Sequence, residues 1–119
     1  METNAATVLV VDDNQDLAEN IAEILGLRGY AASIATSGEE ALHQAVAAGV
    51  ILLVTDFRLP GMSGAELVLR LREKRQDLRA IVMSAYTDDL TIAAARSAGA
   101  DFLPKPVDLG ALARLLSAA

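Results

Sequence analysis

The stretch that decides the fold runs from residue 52 to residue 61 and reads LLVTDFRLPG. An aliphatic run leads into a single carboxylate, Asp56, and the chain then turns at Pro60 and Gly61. Continuous β-branched runs of this kind are typical of strands buried on both faces of a parallel sheet. We therefore predict a buried strand from Val50 to Thr55, with Asp56 emerging at its carboxyl end.

The composition indicates one compact domain with an aliphatic core. The chain has 119 residues, of which 53% are hydrophobic and only 3% aromatic, and it contains no Cys. We expect a short tail over residues 1–6 and a single domain over 7–119. The net charge of −6 argues against direct nucleic-acid binding. Neither a signal peptide nor a membrane span is visible, so we expect a cytoplasmic protein.

Strand and helix patterns alternate along the whole chain. Short apolar runs predict strands over residues 7–11, 31–35, 50–55, 80–83 and 100–103. Each is followed by a helix pattern, and the helices begin at cap residues: Asn14, Ser37, Ser63, Asp88 and Asp108. The alternation predicts an α/β fold, a five-stranded parallel sheet with helices on both faces. We expect the doubly wound (βα)5 order 2-1-3-4-5, with the acid-free second strand at the edge.

Four strands end on polar or ionisable residues. The first ends at Asp12-Asp13, the third at Asp56, the fourth at Ser84 and the fifth at Lys105. In an open parallel sheet, ligand sites form beyond the carboxyl ends of the strands. We therefore expect these side chains to share one rim.

Three carboxylates at one rim cannot all stay ionised without a compensating charge. A hard divalent cation supplies that charge, and Mg²⁺ prefers carboxylate and carbonyl oxygens. Lys105 would add a fixed positive charge and Ser84 a hydroxyl. Such an arrangement suits phosphoryl transfer to a carboxylate nucleophile, for which we choose Asp56.

These residues resemble the receiver domain of two-component response regulators. The resemblance rests on Val10-Val11-Asp12-Asp13, on Thr55-Asp56 with the 59–64 segment LPGMSG, on Ser84-Ala85 and on Lys105-Pro106. It covers about residues 6 to 118. Each motif alone is weak, but all of them in order at the predicted strand ends are highly specific.

The resemblance implies a role for each residue. Asp56 corresponds to the phosphoacceptor, and Ser84 and Phe102 to the residues that switch on phosphorylation. Mg²⁺, with Mn²⁺ as an alternative, would bind Asp12, Asp13, Asp56 and the backbone carbonyl of Arg58. Lys105 would pair with the phosphoryl group, and its bond to Pro106 would be cis.

Two departures from the family pattern concern phosphate lifetime and switching. Arg58 and Tyr86 occupy lifetime-tuning positions, two residues after Asp56 and Ser84. Both side chains are large, so we predict slow self-dephosphorylation. Phe102 lacks the hydroxyl of a tyrosine, so switching there would be a change of packing.

The resemblance implies as partners a histidine kinase or a histidine phosphotransfer protein. It also implies an effector domain or a second copy, bound through the face formed by the fourth helix, the fifth strand (100–103) and the fifth helix. We expect no turnover enzyme, only self-catalysed phosphorylation and dephosphorylation. The sequence also bears on three other functions. An aspartate-nucleophile phosphatase needs an acid where Arg58 stands, and a flavin-binding protein of the same topology needs a Gly/Ser/Thr-rich loop after the first strand. A phosphorylation-independent receiver-like interaction module remains the alternative.

Other charged residues are interpreted as structural. The only histidine, His43, is interpreted as a surface residue. The third helix carries a basic run that consists of Arg70, Arg72, Lys74 and Arg75. We interpret this run as a solvated face that nearby acids balance.

Overall fold

Five parallel strands form the central sheet of the computed structural model, which describes residues 7–48 and 50–117. They are β1 (Thr7–Val11), β2 (Ala31–Ala35), β3 (Leu52–Asp56), β4 (Arg79–Ser84) and β5 (Asp101–Pro104). Their order across the sheet is β2-β1-β3-β4-β5, and every neighbouring pair is parallel. This confirms the predicted order 2-1-3-4-5, which is the flavodoxin-like one, with β2 at one edge. The predicted tail over 1–6 and the helix stop at Gly49 lie outside the described residues.

Five helices connect the strands and cover the sheet. They are α1 (Gln15–Leu27), α2 (Gly38–Ala48), α3 (Gly64–Lys74), α4 (Asp89–Ser97) and α5 (Leu109–Ser117). Predicted cap side chains accept hydrogen bonds from the first turns of these helices: Asn14 from the Leu17 N–H, Ser37 from Glu40, Ser63 from Glu66, Asp88 from Thr91 and Asp108 from Gly110. The residue types at these positions therefore set where the helices begin.

The core divides into two apolar clusters, one on each face of the sheet. The first contains Leu53 of β3 with residues of α2, α3 and α4, and the second contains Val54 with residues of α1 and α5. Successive residues of β3 thus point to opposite faces, as a buried strand requires. The sheet is covered on both sides, which confirms the doubly wound architecture.

Strand β3 begins two residues later than predicted, at Leu52. Val50 is buried but precedes the strand, and its carbonyl accepts a hydrogen bond from the side chain of Arg75. Strand β4 begins one residue earlier than the predicted run, at Arg79, and β5 begins one residue later, at Asp101. Burial alone does not distinguish Val50 from the residues that enter the ladder.

The segment after β3 forms a small antiparallel pair that the sequence pattern did not reveal. Arg58–Leu59 pairs with Met62–Ser63 around Pro60 and Gly61. Gly61 has φ of 81°, a conformation that favours glycine. The pair returns the chain directly to the start of α3.

The basic run of α3 is only partly the solvated face that we predicted. Arg70 is exposed and pairs with Glu66 at 2.8 Å. Arg72 is half-buried, and its guanidinium donates to the Leu78 carbonyl at 2.6 Å. Arg72 and Arg75 therefore tie the end of α3 to neighbouring loops, because their side chains reach carbonyls that the strands leave unpaired. Separately, no helix in the described part of the chain combines the length and apolarity needed to cross a membrane.

Candidate functional site

The carboxyl ends of β1, β3 and β5 bring an acidic cluster and a lysine together. Asp12 and Asp13 follow β1, Asp56 ends β3, and Lys105 follows β5. The register explains the meeting, because Val11 lies opposite Thr55 and the strands end at the same edge. The predicted rim is therefore present.

The acidic cluster consists of Asp12, Asp13 and Asp56. Each offers one carboxylate oxygen, and these oxygens lie within 4.8 Å of one another. Asp12 is only 1% exposed and Asp56 only 8% exposed, whereas Asp13 is exposed. Two of the three carboxylates are thus largely withdrawn from water, which makes their mutual repulsion costly.

Lys105 lies between the two buried carboxylates. Its Nζ is 2.9 Å from Oδ2 of Asp12 and 3.2 Å from Oδ1 of Asp56. Its backbone N–H donates to the Ser84 carbonyl at 2.8 Å, and the bond to Pro106 is cis, as expected. The lysine is therefore held by its backbone at β4 while its ammonium bridges β1 and β3.

The cluster shifts the pKa values of its buried members. Burial raises the pKa of Asp56 above its ordinary value, and the charges of Asp12 and Asp13 raise it further, while Lys105 opposes them. For Lys105, burial acts to lower the pKa, but the hydrogen bond that its ammonium donates to Asp12 and the charges of both carboxylates outweigh burial and raise the pKa. Lys105 therefore stays protonated, whereas burial and the neighbouring carboxylates destabilise the ionised form of Asp56.

Asp12 is fixed at both of its oxygens. Oδ1 accepts the Asn14 backbone N–H at 2.9 Å, and Oδ2 accepts the Lys105 ammonium. Asp13 carries its carboxylate in solvent beside it. Of the acidic pair, Asp13 is the more accessible to an ion arriving from water.

The donor set fits the metal that the sequence implied. Three carboxylates converge, and hard oxygen ligands are those that Mg²⁺ prefers. No thiol or imidazole lies in the cluster, so its chemistry does not favour a softer transition metal. The roles of the individual oxygens as ligands remain predictions.

Ser84 and Tyr86 form the β4 side of the site. Ser84 is 1% exposed, and its Oγ accepts the Tyr86 backbone N–H at 2.9 Å. The Arg58 guanidinium lies over the Tyr86 ring, 4.1 Å from its centroid. The two predicted lifetime-tuning residues therefore contact each other, which their separation in sequence did not suggest.

Phe102 and His43 lie away from the acidic cluster. Phe102 is half-buried in β5, where it packs against the core cluster that includes α4 residues. His43 is exposed and shares a surface groove with Glu39, Leu42 and Lys74. The surface interpretation of His43 is confirmed, and Phe102 lies on the side of the sheet that α4 covers.

Two residues that lie in the quoted motifs, but to which the sequence assigned no role, hold the backbone of Asp56. The Thr55 hydroxyl donates to the Asp56 carbonyl at 3.0 Å. A Cβ on Gly64 would lie 2.3 Å from that same oxygen, so only glycine fits there. The signal for both in the sequence was their place in the motifs Thr55-Asp56 and LPGMSG, which did not reveal these contacts.

Comparisons with known proteins place this arrangement among relatives. Residues 8–117 match the family model described as the response regulator receiver domain. Over 100 residues the chain is 47% identical to the response regulator receiver protein Anae109_2439 of Anaeromyxobacter sp. (strain Fw109-5), covering 83% of this chain and 42% of that protein. It is 36% identical to the DNA-binding transcriptional regulator NtrC of Azospirillum brasilense, covering 98% of this chain and 24% of the relative.

A solved structure from the same family also resembles this chain. The response regulator receiver protein from Pseudomonas putida superposes with a TM-score of 0.88 at 36% identity, over 97% of this chain and 98% of that one. By contrast, the chain spans less than half the length of the curated relatives just named.

Proposed function

Because this chain belongs to the response regulator receiver domain family, we propose that Asp56 accepts a phosphoryl group from a histidine kinase or a histidine phosphotransfer protein. One observation carries the proposal: the Lys105 ammonium lies 3.2 Å from Oδ1 of Asp56, in a cluster of three carboxylates. A carboxylate that must react with an anionic phosphoryl group needs such positive charge beside it.

The transfer step involves one bond made and one broken. A carboxylate oxygen of Asp56 forms a bond to phosphorus, and the bond between phosphorus and the donor's imidazole nitrogen breaks. The imidazole keeps that electron pair and takes a proton from solvent. The product is an acyl phosphate on Asp56.

Residues of the chain act on this step by charge and position. The raised pKa of Lys105 keeps its ammonium protonated, so it neutralises charge on the phosphoryl oxygens. The Asp12 carboxylate, held by Asn14 and Lys105, fixes the ammonium in place. The buried Ser84 hydroxyl, whose oxygen accepts the Tyr86 N–H, would donate its own hydrogen to a phosphoryl oxygen.

Asp12, Asp13, Asp56 and the Arg58 carbonyl would hold Mg²⁺, or Mn²⁺ in its place. Bound there, the ion supplies charge neutralisation for the phosphoryl oxygens and relieves repulsion within the acidic cluster. The same residues then promote loss of the phosphoryl group to water. The domain catalyses its own modification and turns over no substrate.

The signal leaves through the α4-β5-α5 face. Phe102 lies in β5, adjacent to the strand that carries Ser84, so a movement of Ser84 changes the packing around the Phe102 ring. An effector domain or a second copy of the chain would read that change. The relatives are named as a transcriptional regulator, a cyclic di-GMP phosphodiesterase and a sensor kinase, so the family does not select one output. As the sequence led us to expect, we propose that the domain acts in the cytoplasm.

Intact-mass measurement tests the proposal. The chain is incubated with Mg²⁺ and a small phosphoramidate or acyl phosphate, and a gain of one phosphoryl mass is expected. The gain should disappear in Asp56→Asn and when Mg²⁺ is removed by EDTA. A wild-type chain that gains no phosphoryl mass would support the phosphorylation-independent interaction module instead.

A further inference from the structure

We infer that Thr55 is a positioning residue for the phosphoacceptor: its hydroxyl orients the backbone that presents the Asp56 carboxylate and the Arg58 carbonyl. The inference rests on the proposed role of Asp56. It adds a residue that touches neither the phosphoryl group nor the metal.

The first observation is the hydrogen bond itself. Thr55 is fully buried, and its Oγ1 donates to the carbonyl of the next residue, Asp56, at 3.0 Å. The pairing of β3 with β1 ends at Thr55, one residue before the phosphoacceptor. The hydroxyl therefore holds a carbonyl at the point where the ladder to β1 stops.

The second observation is that the same carbonyl is enclosed from the other side. Gly64 approaches so closely that a Cβ there would lie 2.3 Å from the Asp56 oxygen. The N–H of the same peptide, that of Phe57, donates to the Met83 carbonyl at 2.7 Å. The Phe57 carbonyl of the next peptide accepts the Gly64 N–H, also at 2.7 Å. The Asp56–Phe57 peptide thus has one defined orientation, and Thr55 supplies its only side-chain hydrogen bond among the described contacts.

This orientation matters for chemistry because two proposed metal ligands flank the peptide. The Asp56 carboxylate belongs to its first residue, and the Arg58 carbonyl follows its second. A rotation of the peptide would move both oxygens relative to Asp12 and Asp13. Small displacements of reacting groups and ligands are costly when catalysis depends on positioning.

The test compares Thr55→Val, which removes the hydroxyl but keeps β-branching, with Thr55→Ser, which keeps the hydroxyl. Two quantities are measured: the Mg²⁺ dissociation constant by calorimetry without phosphodonor, and the phosphorylation rate by intact mass. We expect Thr55→Val to weaken Mg²⁺ binding and slow phosphorylation by about fivefold each, the equivalent of one lost hydrogen bond. Thr55→Ser should recover most of both.

Thr91→Val is the matched control for general loss of stability. Thr91 lies on α4 and is also buried, and its hydroxyl donates to the side chain of Asp88 at 2.8 Å. This variant should lower the melting temperature without changing the Mg²⁺ dissociation constant or the phosphorylation rate. The inference is overturned if Thr55→Val matches the wild type in both quantities, if Thr55→Ser fails to recover them, or if Thr91→Val reproduces the change. A wild-type chain that is never phosphorylated would instead overturn the proposed function.

Discussion

At the scale of single residues, Lys105 is the charge on which the site depends. Its ammonium contacts Asp12 and Asp56, which come from two different strands. Both carboxylates are buried, so neither has water to compensate the loss of this partner. The lysine therefore supports the ground state of the site as well as the proposed reaction.

The contact between Arg58 and Tyr86 leads to a prediction about phosphate lifetime. The guanidinium and the ring cover each other, so removing either releases the other from its position. We expect Arg58→Asn and Tyr86→Ala each to speed loss of the phosphoryl group by about twofold to fivefold. The double variant should decay no faster than the faster single variant, as measured by intact mass over time. Unchanged decay in both single variants, or fully multiplicative effects in the double variant, would show that the pair does not act as a unit.

The chemistry-bearing residues could be predicted from the sequence, but their hydrogen bonds could not. Asp12, Asp56 and Lys105 were recognisable because each stands at the end of an apolar run. The bond from Thr55 to the Asp56 carbonyl depends on a side-chain rotamer and on where the β1 ladder stops. Neither is encoded in a local pattern.

At the scale of elements, the turn between β3 and α3 positions the site. Gly64 is the point where α3 begins and where the helix approaches the backbone of Asp56. A side chain there would force α3 away from β3. The position of α3 and the backbone of Asp56 therefore depend on each other through one glycine.

Gly64→Ala should destabilise the domain by about 2 kcal/mol, because its Cβ would collide with the Asp56 carbonyl. The measurement is urea unfolding monitored by circular dichroism. Gly26→Ala is the control, since a Cβ at that position in α1 meets nothing within 4 Å. That variant should gain about 0.5–1 kcal/mol from helix propensity. Equal stability of the two variants would contradict the close approach at Gly64.

The end of α3 gives a second prediction at this scale. Arg72→Met should lower the free energy of unfolding by about 1–2 kcal/mol, because the Leu78 carbonyl loses its charged donor. Arg70→Met removes only an exposed pair with Glu66 and should cost less than about 0.5 kcal/mol. The same unfolding experiment distinguishes them. If both substitutions lower the free energy of unfolding by the same small amount, the interpretation as a solvated face would hold for the whole run.

The helix starts were predictable because cap residues act locally, whereas the arginine contacts were not. Ser63 and Asp88 bond to backbone three residues away, so their spacing can be read directly. Arg72 and Arg75 are part of a run that looks uniformly exposed. Which of them turns inward depends on the loops below α3, residues far away along the chain.

At the scale of the whole molecule, stability should depend on the ionisation of Asp56. Its pKa is raised mainly by burial and then by Asp12. A carboxyl with a raised folded-state pKa contributes stability below its unfolded pKa, and the contribution is lost as pH rises through the folded value. At neutral pH in EDTA, the ionised Asp56 therefore lowers the stability of the domain.

Asp56→Asn should consequently melt at a higher temperature than the wild type at neutral pH in EDTA, since Lys105 keeps Asp12 as its partner. The difference should shrink as pH falls through the raised folded-state pKa of Asp56, and it should be gone below about 4, where the carboxyl is protonated in both states. Melting curves across this range provide the measurement, and Glu23→Gln, an exposed acid on α1, is the control that should show no such trend. A variant that melts below the wild type at neutral pH would mean that the ion pair with Lys105 outweighs burial and repulsion.

The parallel sheet with helices on both faces was predictable from the alternation and the crossover handedness, and the resemblance to receiver domains agreed with the order 2-1-3-4-5. Once five strands alternate with helices, the order of the sheet brings residues 12, 56 and 105 to one edge. The exact start of β3 could not be predicted, because Val50 is as buried as the strand residues from Leu52 onward. Burial patterns distinguish core from surface more readily than they distinguish ladder from loop.

The central claim is that Asp56, and not its neighbours Asp12 or Asp13, carries the phosphoryl group. The most direct test is to phosphorylate the wild-type chain with Mg²⁺ and a small phosphodonor, reduce the acyl phosphate with borohydride, and sequence the peptides by mass spectrometry. We predict homoserine at position 56 and unmodified aspartate at 12 and 13. Homoserine at position 12 or 13, or at none of the three in a chain that has gained phosphoryl mass, would contradict the assignment.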